Sequence, residues 1–269
     1  MEIGIDCGGT KTEAIVVDGD TVIDHKFVLK PATKQTVFSV VHSLLKKYPE
    51  VTFIGIGFPA PIDNGKVHFA PNIPGWDNVD IAHEVMSKFG IPCKVENDAN
   101  CFALGEAYEN NLLDKTVVGI TLGTGLGCGI VIHGKLHTGS TGIGGEIGHI
   151  PFEKATLEDA TSKKFFLGNY KIEPKDAMQK ALLKDVKYTR IVKQYGKNLG
   201  KMLATVVQTL DPEYVIFGGN ISRSFGLFEE EMMKTAQKYI YPHTLKKLNV
   251  RSSSIPHAAC RGAVLLKNL

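Results

Sequence analysis

The chain has 269 residues, 43% of them hydrophobic and 22% charged, and a formal net charge of +3. This composition is typical of a globular protein with one large or two modest domains, and the small net charge argues against nucleic acid as a partner. The chain contains no apolar run of membrane-spanning length and opens without a basic leader segment, so we expect neither a membrane partner nor secretion.

The first predicted element is a short apolar strand that ends in a turn rich in glycine and hydroxyl groups. It reads Ile3-Gly-Ile-Asp-Cys-Gly-Gly-Thr-Lys-Thr12 and returns as Ala14-Ile-Val-Val17. Glycines let backbone N–H groups approach an anion closely, and an acid at the strand end, Asp6, would hold Mg²⁺ through water. The predicted phosphate-binding residues of this turn are Gly8, Gly9, Thr10, Lys11 and Thr12.

The next segment alternates strands and helices. Residues 15–23 predict a hairpin with Asp18-Gly19 at its tip, and apolar spacing predicts a helix over 34–47. Residues 51–57 are typical of a buried strand, and the Gly/Pro loop at 58–63 is either a ligand loop or a simple turn. A helix is then expected from Asp80, its cap, to about Phe89.

A second strand–helix junction follows. Residues 92–96 predict a strand and residues 99–108 a helix, so Asn97 and Asp98 lie between the two. Taken alone, Asp98 would most often be a helix cap.

A second Gly/Thr turn repeats the pattern of the first. Val118-Gly-Ile-Thr-Leu-Gly-Thr-Gly-Leu-Gly127 is again strand, polar residue and turn, and a hairpin follows at His133-Gly134. The repeat predicts a duplicated domain whose two turns face one another and clamp a polyphosphate. Neither turn has the spacing of a P-loop or of the dinucleotide fingerprint. The phosphate-binding residues predicted here are Thr121, Gly123, Thr124 and Gly125.

The last part of the chain contributes one more polar pair and several helices. Glu146 and His149 are three residues apart among glycines, and they are either ligand-binding groups or a solvated acid and a structural histidine. Apolar spacing predicts helices over 176–184, 189–210, 225–239 and 258–269, and a strand at 212–220 that runs into a Gly218-Gly219 turn.

The five cysteines include no C-x-x-C pair, and we interpret them as reduced thiols of a cytoplasmic protein.

These motifs together resemble the ROK family of sugar kinases, which belongs to the group with the hexokinase, actin and Hsp70 fold. The two phosphate motifs of that family look like residues 6–12 and 122–125 of this chain. The resemblance implies an α/β fold with two ribonuclease H-like (actin-like ATPase) domains flanking a central cleft. We expect an N-terminal lobe at 1–115 and a C-terminal lobe at 116–257, with the final helix at 258–269 packing back on the first lobe.

The resemblance also implies roles for individual residues. Asn97-Asp-Ala-Asn100 is similar to the family motif in which the Asn binds sugar hydroxyls and the Asp removes the proton of the attacking hydroxyl. Glu146 and His149 match a G-E-x-G-H motif whose side chains bind sugar. Gly218 and Gly219 match glycines that lie close to adenosine. Asn72 lies in a P-N-x-x-G-W segment and is either a sugar contact or a turn residue.

The sequence departs from the family at two places. Ala60 stands where the loop at 58–63 usually has a glycine, and the cysteines that many members place after the G-E-x-G-H motif are absent. Three of four ligands of a structural zinc site are missing, so we predict no such zinc. A sugar-binding Glu normally found just after those cysteines has no clear counterpart, Glu158 and Glu173 being unassigned candidates.

The expected activity is ATP- and Mg²⁺-dependent phosphorylation of a hexose, with O6 of glucose as first choice. N-acetylglucosamine, N-acetylmannosamine or fructose kinase activity of the same family is an alternative, as is a non-catalytic sugar-responsive regulator. Family regulators carry an N-terminal DNA-binding domain, whereas here the phosphate motif begins at Asp6. Homodimers are common in the family, and the sequence leaves the oligomeric state open.

Overall fold

The computed structural model describes residues 1–63, 65–67, 70, 73 and 75–269. The chain divides into two compact units. The first contains residues 1–114, 129–145 and 255–269, and the second contains residues 115–128 and 146–254. The first unit therefore combines the two ends of the chain with a segment from its middle.

The first unit is built on a five-stranded sheet. The strands of its first segment are β1 (Glu2–Cys7), β2 (Thr12–Asp18), β3 (Thr21–Val28), β4 (Phe53–Phe58), β5 (Ile62–Asp63), β6 (Lys66–Val67), β7 (Val79–Asp80) and β8 (Cys93–Asn97). The large sheet has the order β3-β2-β1-β4-β8, and β5, β6 and β7 form a small sheet of their own. Strands β1, β4 and β8 are parallel, with Asp6 opposite Gly57 and Gly57 opposite Glu96. Their carboxyl ends therefore lie at one edge of the sheet.

Three helices of the first unit have clear local signals. They are α1 (Lys34–Lys47), α2 (Ile81–Phe89) and α3 (Asp98–Glu109). The side chain of Thr33 caps α1, and α2 begins at the predicted cap Asp80 and ends at Gly90 in the left-handed conformation. The core beneath them includes the fully buried Trp76, whose indole N–H donates to the carbonyl of Ala32 at 2.7 Å. The only tryptophan thus has a packing role with its polar atom satisfied.

A second five-stranded sheet repeats the strand order of the first. Its strands are β9 (Thr116–Leu122), β10 (Leu126–Ile132), β11 (Lys135–Leu136), β14 (Tyr214–Gly218) and β15 (Asn249–Ser252), and the short strands β12 (Pro151–Phe152) and β13 (Ala155–Thr156) pair with each other. The order is β11-β10-β9-β14-β15, and β14 is parallel to both β9 and β15. The chain passes from the second unit to the first within β10, at Cys128–Gly129.

Most helices of the second unit pack against its long helix α7. They are α4 (Leu157–Thr161), α5 (Lys163–Tyr170), α6 (Pro174–Leu182), α7 (Val186–Leu210), α8 (Glu229–Ala236) and α9 (Pro242–Leu245), with 3₁₀ helices at Ile147–His149 and Ile221–Leu227. Tyr195 of α7 is fully buried among Phe165, Phe166 and Phe228, and its hydroxyl donates to the carbonyl of Thr161 at 2.7 Å. This aromatic cluster fixes α7 against its neighbours.

The last helix, α10 (Ala258–Leu265), returns to the first unit and continues as a 3₁₀ helix at Leu266–Asn268. It contacts β1, β4 and α3. A β-carbon at Gly4 or Gly55 would overlap the carbonyl oxygens of Cys260 and Ala263, and one at Gly262 would overlap that of Cys101. Glycines on both sides of the contact therefore allow the helix to approach the sheet and α3 closely.

The predicted α/β class is confirmed, as are most of the predicted elements. The hairpin at His133–Gly134 is present, whereas the first hairpin turns one residue later than predicted, because Asp18 already pairs with Thr21. The single helix predicted at 225–239 is wrong, because Phe228, which has non-helical backbone angles, separates a 3₁₀ helix from α8. In the described part of the chain, no helix has the length and apolar character needed to cross a bilayer.

Candidate functional site

The first Gly/Thr turn joins β1 to β2 and carries a charged pair. Gly8 closes the turn by donating its N–H to the carbonyl of Lys11 at 2.9 Å, and Gly9 and Thr10 are exposed. The Lys11 ammonium lies 3.4 Å from Asp6 and 2.9 Å from Glu13. Burial raises the pKa of the Asp6 carboxyl, although Lys11 partly offsets this. The turn therefore presents backbone N–H groups and one cation beside a carboxylate, which suits a phosphate and its metal ion.

Thr12 has a different environment from the rest of this turn. Its side chain is fully buried, and its hydroxyl donates to the carbonyl of Lys30 at 3.2 Å. This hydrogen bond gives Thr12 a role in the fold, and its predicted contact with phosphate stays a prediction.

The carboxylate of Glu13, next to the turn, is strongly stabilised in its ionised form. Burial alone would raise its pKa, but hydrogen bonds and charge interactions with Lys11 and His257 outweigh burial and lower the pKa to about 2. Glu13 therefore holds Lys11 from one side while Asp6 holds it from the other.

Asn97 and Asp98 lie at the junction of β8 and α3. The Asn97 side chain accepts from the N–H groups of Ala99 at 2.9 Å and Asn100 at 3.2 Å, so Asn97 is the helix cap. The suggestion that Asp98 is merely the cap is therefore wrong, since Asp98 is the first helical residue. Its carboxylate accepts from the N–H of Ala99 at 2.8 Å and remains partly exposed. Asn and Asp cap helices about equally well, so composition could not separate the two.

The first unit thus gathers several predicted site residues at one edge of its sheet. Asp6 is the next-to-last residue of β1, and Asn97 ends β8, two strands away in the same parallel set, with Asp98 directly after it. The loop at 58–63 contributes as well, because the carbonyl of Ala60 accepts from the Asn97 amide at 3.3 Å. The carboxyl ends of parallel strands are where α/β proteins bind ligands. Asn72 lies outside the described residues.

The second Gly/Thr turn joins β9 to β10 and is anchored by an acid from elsewhere in the chain. The N–H of Gly123 donates to the carbonyl of Gly125 at 3.0 Å, and a β-carbon at Gly123 would meet only open space. Glu158 of α4 accepts from the N–H of Leu126 at 3.0 Å, and a β-carbon at Gly125 would collide with its carboxylate. Thr124 is exposed at the tip of the turn.

The Gly218–Gly219 turn lies beside this second turn. Gly218 is opposite Thr121 in the β14–β9 pairing. Gly219 has φ of +84°, and a β-carbon there would overlap the carbonyl of Leu122. Close packing and backbone conformation thus already require glycine at 219, and the predicted contact with adenosine stays a prediction.

Glu146 and His149 share one side of a 3₁₀ turn. Their side chains are 3.7 Å apart, with Glu146 32% exposed and His149 85% exposed. Burial raises the pKa of Glu146, His149 partly offsets this, and the charge of Glu158 raises it further. An accessible imidazole beside a half-buried carboxylate offers both donors and acceptors to a hydroxylated ligand.

The structure adds Glu158 to the residues near this site. Its carboxylate contacts the second turn, pairs with Lys164 at 2.6 Å and interacts electrostatically with Glu146. Glu173, the other unassigned acid, instead pairs with Lys163 and is half exposed. One sequence feature could have pointed to Glu158: Thr156 and Asp159 form a capping box, which places Glu158 in the first turn of a helix.

A model of the ROK family matches residues 2–268. The chain is 30% identical to the glucokinase of Thermotoga maritima in an alignment of 297 residues, and this alignment covers 94% of this chain and 92% of that protein. It is 28% identical to the N-acetyl-D-glucosamine kinase of Haemophilus influenzae, with coverage of 93% and 92%, and 26% identical to the xylose repressor of Bacillus spizizenii, with coverage of 94% and 73%.

A solved structure gives the same result at the level of the fold. The ROK family glucokinase from Streptomyces griseus, in complex with glucose and AMPPNP, superposes with a TM-score of 0.83 at 27% identity over 98% of both chains. This likeness confirms the predicted fold of the actin-like ATPase group. Because the family match extends over nearly the whole sequence, the chain belongs to the ROK family.

Proposed function

We propose that this protein is an ATP-dependent sugar kinase that transfers the γ-phosphate of ATP to a hydroxyl of a hexose, with O6 of glucose as the first candidate. The placement of Asn97 and Asp98 at the sheet edge that also carries Asp6 is the observation that carries the proposal. The glucokinase relatives, one of them solved with glucose and an ATP analogue, support the same substrate class.

Asp98 is the proposed general base. Its partly exposed carboxylate would accept the proton of the attacking sugar hydroxyl, and phosphoryl transfer otherwise asks the protein mainly for alignment and charge neutralisation. The carboxamide of Asn97 has two N–H groups, and one of them donates to Ala60. The other would donate to a sugar hydroxyl. Glu146 and His149 are proposed to bind further hydroxyls, with Glu158 as an additional acceptor.

The Gly/Thr turns are the proposed phosphate-binding segments. Gly8, Gly9, Thr10 and Lys11 in the first unit, and Thr121 and the 123–125 turn in the second, supply N–H, hydroxyl and ammonium donors. A Mg²⁺ ion bound with ATP would neutralise phosphate charge, and the Asp6 carboxylate beside this turn suits its oxygen-preferring, water-retaining coordination.

A substrate panel tests the proposal. Purified protein is assayed for sugar-dependent ADP release with Mg-ATP and glucose, N-acetylglucosamine, N-acetylmannosamine, fructose or mannose. We expect turnover with at least one hexose and fastest turnover with glucose. A different preferred sugar would move the assignment to the N-acetylhexosamine kinase or fructokinase alternative, whereas no sugar-dependent ADP release would overturn the kinase proposal.

A non-catalytic sugar-responsive regulator is the second candidate, favoured by the likeness to a xylose repressor. A DNA-shift assay with and without sugar tests this candidate directly. We also propose that the protein is cytoplasmic, which agrees with five free thiols, and we expect a homodimer, which light scattering would test.

A further inference from the structure

Three side chains of the first unit, none of them assigned a direct role in the proposed reaction, converge beside the first Gly/Thr turn. The carboxylate oxygen Oε1 of Glu13 lies 2.6 Å from Nδ1 of His257 and 3.0 Å from Nε2 of His25. The two imidazole rings have their centroids 4.2 Å apart at an angle of 37°. One ligand-type atom from each residue lies within 4.8 Å of the other two.

The fold brings these residues together from distant parts of the chain. Ile15 pairs with His25 across β2 and β3, and Glu13 lies two residues before Ile15 on the same face of β2, so Glu13 and His25 are diagonal neighbours. His257 caps α10 with φ of +57°, a left-handed conformation in which non-glycine residues are uncommon. That conformation accompanies the contact of its ring with Glu13.

We propose that Glu13, His25 and His257 form a binding site for one divalent transition-metal ion of the zinc type. Two imidazole nitrogens and one carboxylate oxygen are a ligand set that Zn²⁺ and its neighbours accept, with a fourth position left for water. Mg²⁺ and Ca²⁺ fit less well, because they prefer oxygen ligands. The site is distinct from the four-ligand structural zinc site of many family members, and His149 does not belong to it.

The surroundings of the three residues favour entry and binding of an ion. The side chains of His25 and His257 are 39% and 26% exposed, so the site is open to solvent. The other oxygen of Glu13, Oε2, is held by Lys11 at 2.9 Å, which leaves Oε1 as a single, oriented ligand.

Metal binding would need only a small change in the two contacts of Glu13 with the histidines. Zinc–nitrogen and zinc–oxygen bonds of about 2.0–2.2 Å in a tetrahedron separate the ligand atoms by roughly 3.4 Å. The contacts at 2.6 and 3.0 Å would therefore open by less than an ångström, which half-exposed side chains permit. In the metal-bound form each imidazole would carry its proton on the nitrogen that faces away from the ion.

The ion would link β2, β3 and the start of α10. All three elements belong to the first unit, so binding would stabilise that unit without requiring a sugar or a nucleotide. The inference is therefore independent of the proposed kinase activity.

A zinc titration of the full chain tests the site. Zn²⁺ is added in competition with a chromogenic chelator, under a phosphine reductant that keeps the thiols free. We expect one equivalent to bind tightly. Mutation of a residue that only supports a metal ligand typically weakens metal binding roughly 10–100-fold. His25→Gln and Glu13→Gln remove a ligand itself, so we expect each to weaken zinc binding by at least that factor.

Two control variants separate this site from other ligands. His42→Ala removes an exposed imidazole of α1, and Cys93→Ser removes the half-buried thiol. Both variants should bind Zn²⁺ as tightly as the unmodified protein does. Added Zn²⁺ should raise the thermal midpoint of the unmodified protein and of both control variants, but not that of His25→Gln. Equal affinity of the unmodified protein and folded His25→Gln, or loss of binding in Cys93→Ser, would overturn the proposal.

Cobalt substitution keeps the test decisive if a ligand variant does not fold. The unmodified protein with one equivalent of Co²⁺ should show the visible absorption of a four- or five-coordinate ion and no thiolate charge-transfer band. A thiolate band, or no visible absorption above that of hydrated Co²⁺, would contradict the assigned ligands.

Discussion

The two five-stranded sheets have the same strand order but different chemistry at their corresponding turns. β3-β2-β1-β4-β8 and β11-β10-β9-β14-β15 follow one pattern. In the first turn, Asp6 and Lys11 form an ion pair within the turn region itself. In the second, Thr121 stands where the first has Asp6, and the anchoring carboxylate comes from Glu158 in a later helix. The repeated apolar and glycine pattern thus specifies the sheet, whereas residues outside the repeat decide the charge at each turn.

The sheets also differ in how they receive a covering helix. Gly4 and Gly55 pair in the first sheet and leave room for α10. When the two sheets are aligned so that Asp6 corresponds to Thr121, the Gly4–Gly55 pair corresponds to Gly119 and Ile216 in the second sheet. Ile216 is fully buried. A position that excludes even a methyl group in one sheet therefore holds a large side chain in the other.

The largest effect is expected at Asp98, the proposed general base at the edge of the first sheet. Asp98→Ala should retain sugar binding by calorimetry but lose at least ~100-fold in kcat, because a positioned general base contributes about that much. Steady-state ADP release with the preferred sugar measures the change. Asp18→Ala, which removes an exposed carboxylate at the end of β2, is the control. Near-normal kcat in Asp98→Ala would exclude it as the base.

The next largest effect is expected from adding one methyl group to the first sheet. In Gly55→Ala the new β-carbon would overlap the carbonyl of Ala263, so we expect a loss of about 1–3 kcal/mol of unfolding free energy. Urea denaturation measures the loss. Gly168→Ala is the matched control, because it lies in α5 with no atom near the new methyl group and should be neutral or stabilising. Unchanged stability in Gly55→Ala would mean that α10 can move away at little cost.

Removing one methyl group at the corresponding position of the second sheet should cost less. Ile216 is fully buried, and Ile216→Val should reduce the unfolding free energy by about 0.5–1.5 kcal/mol through lost burial and a small cavity. The same urea experiment measures it. A gain in stability would show that Ile216 is overpacked, and the contrast between the two sheets would then be weaker than the structure indicates.

Strong local patterns explain which features were predictable from the sequence. The strands around both Gly/Thr turns, the Asp80 cap and the Asn97–Asp98 junction follow from apolar periodicity and capping chemistry. Glu158 was not assigned, because residues 151–173 carry no strong periodicity and its contact with the second turn depends on tertiary packing. The cluster of Glu13 with His25 and His257 was not found, because its members are separated by 12 and 244 residues.

The smallest effect, a pH dependence, is expected at Glu146 of the second unit, and it sharpens the comparison with Asp6 of the first unit. Burial raises the pKa of both carboxyls, and each also lies near a like charge, Glu13 for Asp6 and Glu158 for Glu146. The partial offset comes from a lysine, Lys11, at Asp6 but from a histidine, His149, at Glu146. A carboxyl whose pKa is higher in the folded than in the unfolded state stabilises the fold below its unfolded pKa, and loses that contribution as pH rises through the folded value. Glu146→Gln should therefore be more stable than the unmodified protein at pH 7–8, with the difference shrinking towards about pH 4.

Urea midpoints between pH 4 and pH 8 measure this difference in stability, and Glu229→Gln, at an exposed position in α8, controls for the loss of one negative charge. A difference that grows on acidification would mean that the ionised form of Glu146 is the one the fold prefers.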